Sequence, residues 1–173
     1  MTTTLGRLFL DIDGVINAPR AAEYWDRVAD ARVEAEGEGY FDIVFAPQVV
    51  ERIEALRDRI EVVWCSTWLF HPAHLDALSE ALCGLAHARR PEVPDLIWRS
   101  FGWKGGVVRD LTKSDPLPFA WVDDTEGLWR NHAWVLSREI GLRDPLILNP
   151  DELGGAGITP AYLEALESCA CAL

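Results

Sequence analysis

Short apolar runs alternate along this chain with longer stretches whose apolar residues recur at helical spacing, and few folds accept that pattern. Residues 5–10, 61–65, 117–122 and 146–148 read as strands, and 96–98 as an edge or accessory strand. Residues 47–59 read as a helix, because Pro47 suits a first turn and Val49, Ile53, Leu56 and Ile60 share one stripe. Residues 72–85 form a second helix, with Leu75, Leu78, Leu82 and Leu85 aligned. Further helices are expected over 104–111, 126–140 and 160–169. Strands alternating with helices make a parallel sheet covered on both faces. The expected fold is therefore α/β, a Rossmann-like three-layer α/β/α sandwich around a central, mainly parallel sheet. With 173 residues, no internal repeat and no low-complexity linker, one domain over 1–173 is expected.

The first run, Leu8-Phe9-Leu10, ends in Asp11-Ile12-Asp13-Gly14-Val15. Two carboxylates at a strand end repel each other unless a cation or a proton lies between them. Alternation along a continuing strand sends both to one face, and Gly14 permits a sharp turn beside them. That pattern suits a metal-assisted site in which one carboxylate attacks and the other moves protons. Sites in such sheets lie at the carboxyl ends of the strands, and three more features fall there. Ser66-Thr67-Trp68 follows the strand at 61–65, offering a hydroxyl to an anionic oxygen or to a turn. Lys104 stands at a helix start, against the helix dipole, as though something anionic holds it. Asp123-Asp124 ends the strand at 117–122. Two acidic pairs in one parallel sheet suggest a carboxylate-held divalent ion, most simply Mg2+.

The order Asp11-Ile12-Asp13-Gly14, Ser66, Lys104, Asp123-Asp124 resembles the haloacid dehalogenase (HAD) superfamily, over nearly the whole chain. Trp64-Cys65-Ser66-Thr67-Trp68 and Trp121-Val122-Asp123-Asp124 look like small bacterial members of it. The resemblance implies an HAD-type Rossmann-like sheet and a magnesium-dependent phosphatase working through an aspartyl-phosphate. It makes Asp11 the nucleophile and Asp13 the group that protonates the leaving oxygen and then activates water. Phosphate would be bound by Ser66, Thr67, Lys104 and Gly14. Mg2+ would be held by Asp11, Asp13 (through its backbone position), Asp123 and Asp124. The dehalogenases of the superfamily lack an aspartate where Asp13 stands, so the resemblance favours phosphoryl transfer to water.

Composition limits the rest. The net charge of −12 repels polyanions and counts against general nucleic-acid binding. One basic stretch, Arg89, Arg90, Arg99, Lys104, Arg109 and Lys113, reads as a solvated face or a phosphate patch. No apolar run is long enough to cross a membrane, and the amino terminus lacks a signal-peptide core. Four cysteines without framework spacing suggest thiols in a reducing cytoplasm. Residues 17–46, with Tyr24, Trp25, Tyr40 and Phe41 among many acids, read as a flap or minimal cap, the alternative being a surface excursion. The expected partner is a phosphorylated substrate, a small molecule or a macromolecular end. A polynucleotide or RNA-repair end phosphatase, a phosphotransferase and a non-catalytic phosphate-binding module are alternatives. Trp68 reads first as core packing, with stacking on a base or sugar the alternative; His71 and His74 read as a surface pair at a helix start. Cys169-Ala170-Cys171 reads as a frayed tail.

Overall fold

The computed structural model of the protein describes residues 5–35, 39–93, 102–124, 129–150 and 155–171. In chain order the elements are β1 (Gly6–Leu10), β2 (Ala29–Ala35), β3 (Gly39–Phe45), α1 (Pro47–Glu54), β4 (Ile60–Trp64), α2 (Pro72–Leu82), α3 (Trp103–Ser114), β5 (Phe119–Val122), α4 (Trp129–Glu139), β6 (Leu146–Leu148) and α5 (Pro160–Cys171). Four strands form a wholly parallel sheet in the order β4-β1-β5-β6. Alternation divides its side chains between two cores. Leu8, Leu10, Val62, Trp64, Ala120 and Val122 pack with residues of α1, α2 and α5. Phe9, Val63, Cys65, Phe119 and Trp121 pack on the other face with Val108 of α3 and Ala133 of α4. Burying such a side chain contributes about 1.5–3 kcal/mol. The expected three-layer α/β/α fold is what forms.

Several boundaries move for local reasons. The first helix stops at Glu54 rather than 59, and 55–59 tighten into turns, with Arg59 and Ile60 both donating to the Leu56 carbonyl at 2.9 Å. The turn delivers Ile60 into β4 opposite Gly6. The second helix ends at Leu82 because Cys83 takes a left-handed conformation (φ 54°). Leu85 still reaches the core from outside the helix, and its N–H donates to Glu54 Oε2 at 2.9 Å. The third helix starts at Trp103 and runs to Ser114, beyond the expected 104–111. The strand expected at 96–98 and the first residues of the helix expected at 126–140 lie outside the described residues; Cys169-Ala170-Cys171, read as a frayed tail, instead closes α5, with Ala170 buried. Beside β4 the chain forms a parallel bridge at Arg89, whose N–H donates to Val62 and whose carbonyl accepts from Trp64. Cys65, Cys83 and Cys169 are thiols rather than disulfides.

The segment 17–46 holds an antiparallel ribbon, β2 paired with β3 from Ala29–Phe45 to Ala35–Gly39. Its signal was present: Ala29, Ala31 and Val33 alternate with Asp30, Arg32 and Glu34, the period of a half-buried strand. Alanine made the apolar face weak enough to read as loop. Val33, Ile43 and Phe45 anchor the ribbon in the core, and β2 lies against α2.

At the opposite end of the sheet from Asp11, Arg7 is buried. Its guanidinium meets Glu61 at 2.6 Å and Asp115 at 2.8 Å, and donates to the carbonyls of Asp115 (3.2 Å) and Leu111 (3.4 Å) at the end of α3. It thereby ties β1, β4 and the α3 terminus together and satisfies helix-end carbonyls. Glu61 keeps Arg89 at 3.1 Å and Asp115 is exposed, so truncation strands neither carboxylate. We expect Arg7→Ala to destabilise by about 2–3 kcal/mol, below the usual loss for a broken buried pair. Urea unfolding checks this; a change under about 0.5 kcal/mol overturns it.

Candidate active site at the carboxyl end of the sheet

The strand order reverses at β1, since the chain passes from β1 to β4 on one side and then to β5 on the other. Ligands bind at such a switch point, and here the residues following β1, β4 and β5 meet. Asp11 comes directly after Leu10; its N–H donates to Val122 at 3.1 Å, so it is held beside the end of β5. Asp123 comes directly after Val122, its N–H bonded to Leu148 at 3.2 Å. Both carboxylates are buried. Lys104, buried in the first turn of α3, donates through Nζ to Asp11 Oδ2 and, at 2.8 Å, to Asp123 Oδ2. The lysine expected to be held by an anion at its helix start is held by two.

Burial is the largest influence on Asp11 and pushes its pKa up to about 7; Asp123 adds to the rise, while Lys104 and the Ile12 N–H oppose it. Burial acts against the Lys104 ammonium, yet Asp11 and Asp123 outweigh it and its pKa is raised. Lys104 therefore stays charged. Asp124 completes the cluster: single oxygens of Asp11, Asp123 and Asp124 lie within 4.8 Å of one another. Three clustered carboxylates and one ammonium leave negative charge to balance. The donors are all hard oxygens, and this fits a divalent ion such as Mg2+, which takes carboxylates and keeps room for water and phosphate.

Gly14 lies against this cluster. Its φ is +71°, and a Cβ there would come within 2.6 Å of Asp124 Cγ. Ser66 follows β4 at the same end of the sheet, with Cys65 donating to Leu10 at 2.8 Å. Its hydroxyl is buried with no hydrogen-bond partner among the described residues. An orphaned buried hydroxyl costs about 1–3 kcal/mol, and a phosphoryl oxygen would satisfy it. Thr67 is exposed and opens a short 3-10 helix, Thr67–Phe70.

Asp13 occupies a different position from Asp11. The strand ends at Leu10, so alternation does not govern the pair, and the chain bends at Ile12. Asp11 turns inward and Asp13 outward; the Asp13 side chain lies outside the three-carboxylate cluster. It accepts two hydrogen bonds at 2.9 Å, Oδ1 from Asn17 Nδ2 and Oδ2 from Trp68 Nε1. Asn17 Oδ1 also accepts from the Val44 N–H at 3.0 Å, which links Asp13 to the ribbon. Sequence reasoning did not single out Asn17, since one asparagine after a glycine turn resembles any turn residue. Trp68 is buried in the core, as first read, and also serves as a hydrogen-bond donor. The basic stretch is mostly paired: Arg89 with Glu61, Arg90 with Asp76 and Arg109 with Asp110; Arg99 lies outside the described residues.

A family model described as the HAD domain in Swiss Army Knife RNA repair proteins matches residues 7–146. No curated protein and no solved structure gives a match. The match covers well over half the chain and takes in Asp11, Asp13, Ser66, Lys104, Asp123 and Asp124. The chain therefore belongs to this family of HAD domains.

Proposed function

We propose that this protein is a magnesium-dependent phosphatase acting through an aspartyl-phosphate on Asp11. HAD domains of this family are in general phosphohydrolases, which supports phosphatase-type chemistry. The observation that carries the finer reading is the Asp11–Lys104–Asp123 triangle with Asp124 within ligand distance.

In this reading Asp11 attacks phosphorus, the bond to the leaving oxygen breaks, and Asp13 gives that oxygen its proton. Water then attacks the phosphoryl group, the Asp13 carboxylate takes the water's proton, and Asp11 departs as a carboxylate. Asn17 and Trp68 fix the Asp13 carboxylate while leaving it exposed to exchange protons. Lys104 and Ser66 stabilise the phosphoryl oxygens by charge and hydrogen bonding. Asp11, Asp123 and Asp124 would hold Mg2+, with the Asp13 backbone carbonyl as a further ligand. The ion would neutralise phosphate charge and favour ionised Asp11.

The test is hydrolysis of a panel of phosphate monoesters with and without Mg2+. We expect turnover with Mg2+, loss of at least about 100-fold on chelation, and recovery when Mg2+ is restored. Hydrolysis unaffected by chelation overturns the reading. Magnesium binding without turnover on any ester points instead to a phosphate-binding module.

A further inference from the structure

Beside Asp13 a cleft of about 460 Å³ is lined by Asp13, Phe41, Thr67, Trp68, Phe70, His71 and His74. Five of these seven residues carry an aromatic ring, and they come from three separate pieces of chain: β3, the short 3-10 helix after Ser66, and the start of α2. Phe41 lies 5.3 Å from Trp68 and 5.9 Å from His74, ring centre to ring centre. His71 stacks on His74 at 4.8 Å with 15° between the planes. Trp68 and His74 are buried and form the backing; Phe41 and His71 are exposed and offer open ring surface.

Phe41 is 39% exposed. Apolar burial alone favours covering such a ring, and the ribbon instead holds it at the mouth of the cleft. Strand alternation sends its neighbour Tyr40 to the opposite face, where Arg32 lies over the ring at 5.5 Å. Among the described residues, Asp13 is the only carboxylate lining the cleft.

We infer that this cleft is the leaving-group subsite and takes the base of a terminal nucleotide, stacked on Phe41 and His71. The inference rests on the phosphatase reading above and extends it to the substrate. Asp13 joins the two regions: it protonates the leaving oxygen, so whatever that oxygen belongs to lies in the cleft that Asp13 lines. An aromatic cleft with few polar groups grips a flat ring without reading its edges, and each stacked base contributes about 1–3 kcal/mol. The volume falls in the range of small-ligand sites, about 300–1,000 Å³. The net charge of −12 gives the rest of a polyanion nothing to hold. Recognition is thus confined to the phosphate and its own nucleotide, free or at the end of a strand.

The test compares kcat/KM for adenosine and cytidine monophosphates, phosphorylated hexaribonucleotides and glycerol phosphate, all with Mg2+. Nucleotides should exceed glycerol phosphate by at least about tenfold. Phe41→Ala and His71→Ala should each raise KM for nucleotides about five- to 150-fold, with kcat less affected, and Phe41→Trp should restore most of the loss. Tyr40→Ala should leave both substrates unchanged. Hexanucleotides should match mononucleotides within about threefold, with a shallow salt dependence. Hexanucleotides that bind far better, with a steep salt slope, overturn recognition confined to the end. Glycerol phosphate turned over as well as nucleotides overturns the cleft assignment and leaves the phosphatase intact. Nucleotide binding to the Asp11→Asn protein by calorimetry, with no turnover of any ester by the native protein, sinks the phosphatase and keeps the cleft.

Discussion

Asp11→Asn should lower phosphate-ester turnover by at least about 10⁴-fold while leaving the protein folded. Asparagine has nearly the shape of aspartate and retains an oxygen for the Ile12 N–H, which now donates to Asp11 Oδ1 at 2.7 Å. What it removes is the nucleophile and one of the two carboxylates that hold Lys104. Among the described residues no other carboxylate of the site is placed to substitute: Asp123 follows the neighbouring strand and bonds the same ammonium, Asp124 lies against Gly14, and Asp13 faces the aromatic cleft. The measurement is steady-state turnover together with thermal unfolding of both proteins. A variant that folds and keeps activity within about tenfold removes Asp11 from the nucleophile's role.

The same substitution carries a pH signature. Burial raises Asp11 from its usual range to about 7 in the folded protein. The folded state therefore binds this proton more tightly than the unfolded chain does. The stability that Asp11 contributes is full below about pH 4 and is lost as pH rises to about 7. Asparagine has no proton to lose. Without metal, Asp11→Asn should gain stability relative to the native protein across that window, to a ceiling of about 4 kcal/mol at 1.36 kcal/mol per pK unit. Adding Mg2+ should shrink the gain, since a cation favours the ionised carboxylate. A difference in unfolding free energy that stays flat between pH 4 and 7 shows that burial does not hold Asp11 protonated.

Strand ends were the legible part of this molecule. Asp11, Lys104 and Asp123 announce themselves because carboxylates after apolar strands and a lysine in a helix's first turn are costly without partners, and here they partner one another. The sheet follows from the alternation of periods, and its two cores from the pleat. Other features depend on tertiary context that local pattern does not carry. The Asp11/Asp13 relation was read from strand alternation, yet the strand stops at Leu10 and a bend separates the two roles. The ribbon at 29–45 hid behind alanines and charges. The polar ties of Asn17 and Trp68 to Asp13 span 4 and 55 residues, and neither residue type marks such a role by itself. His71 and His74, read as a surface pair, divide into one exposed ring and one buried ring.

Gly14 yields the second large effect, because three demands converge on it. Its φ of +71° lies where a side chain costs about 1 kcal/mol or more. A Cβ would also stand 2.6 Å from Cγ and 2.8 Å from Cβ of Asp124, so the carboxylate offered to the metal would have to leave. In addition, its N–H donates to the Asn17 carbonyl at 2.8 Å, and Asn17 orients Asp13. Backbone strain alone would lower stability and spare the chemistry. Gly141 supplies that comparison, with φ +73° and open space where its Cβ would be. Gly141→Ala should therefore lose about 1–2 kcal/mol from the backbone alone, and Gly14→Ala somewhat more, since its Cβ must also displace Asp124. Only Gly14→Ala should also lose about 100-fold or more in turnover and at least about tenfold in magnesium affinity, a ligand's displacement being worth a transition-state donor. Calorimetric titration with Mg2+ beside urea unfolding separates the two effects. Native magnesium affinity in Gly14→Ala means that Asp124 is no ligand, and the site then rests on Asp11 and Asp123 alone.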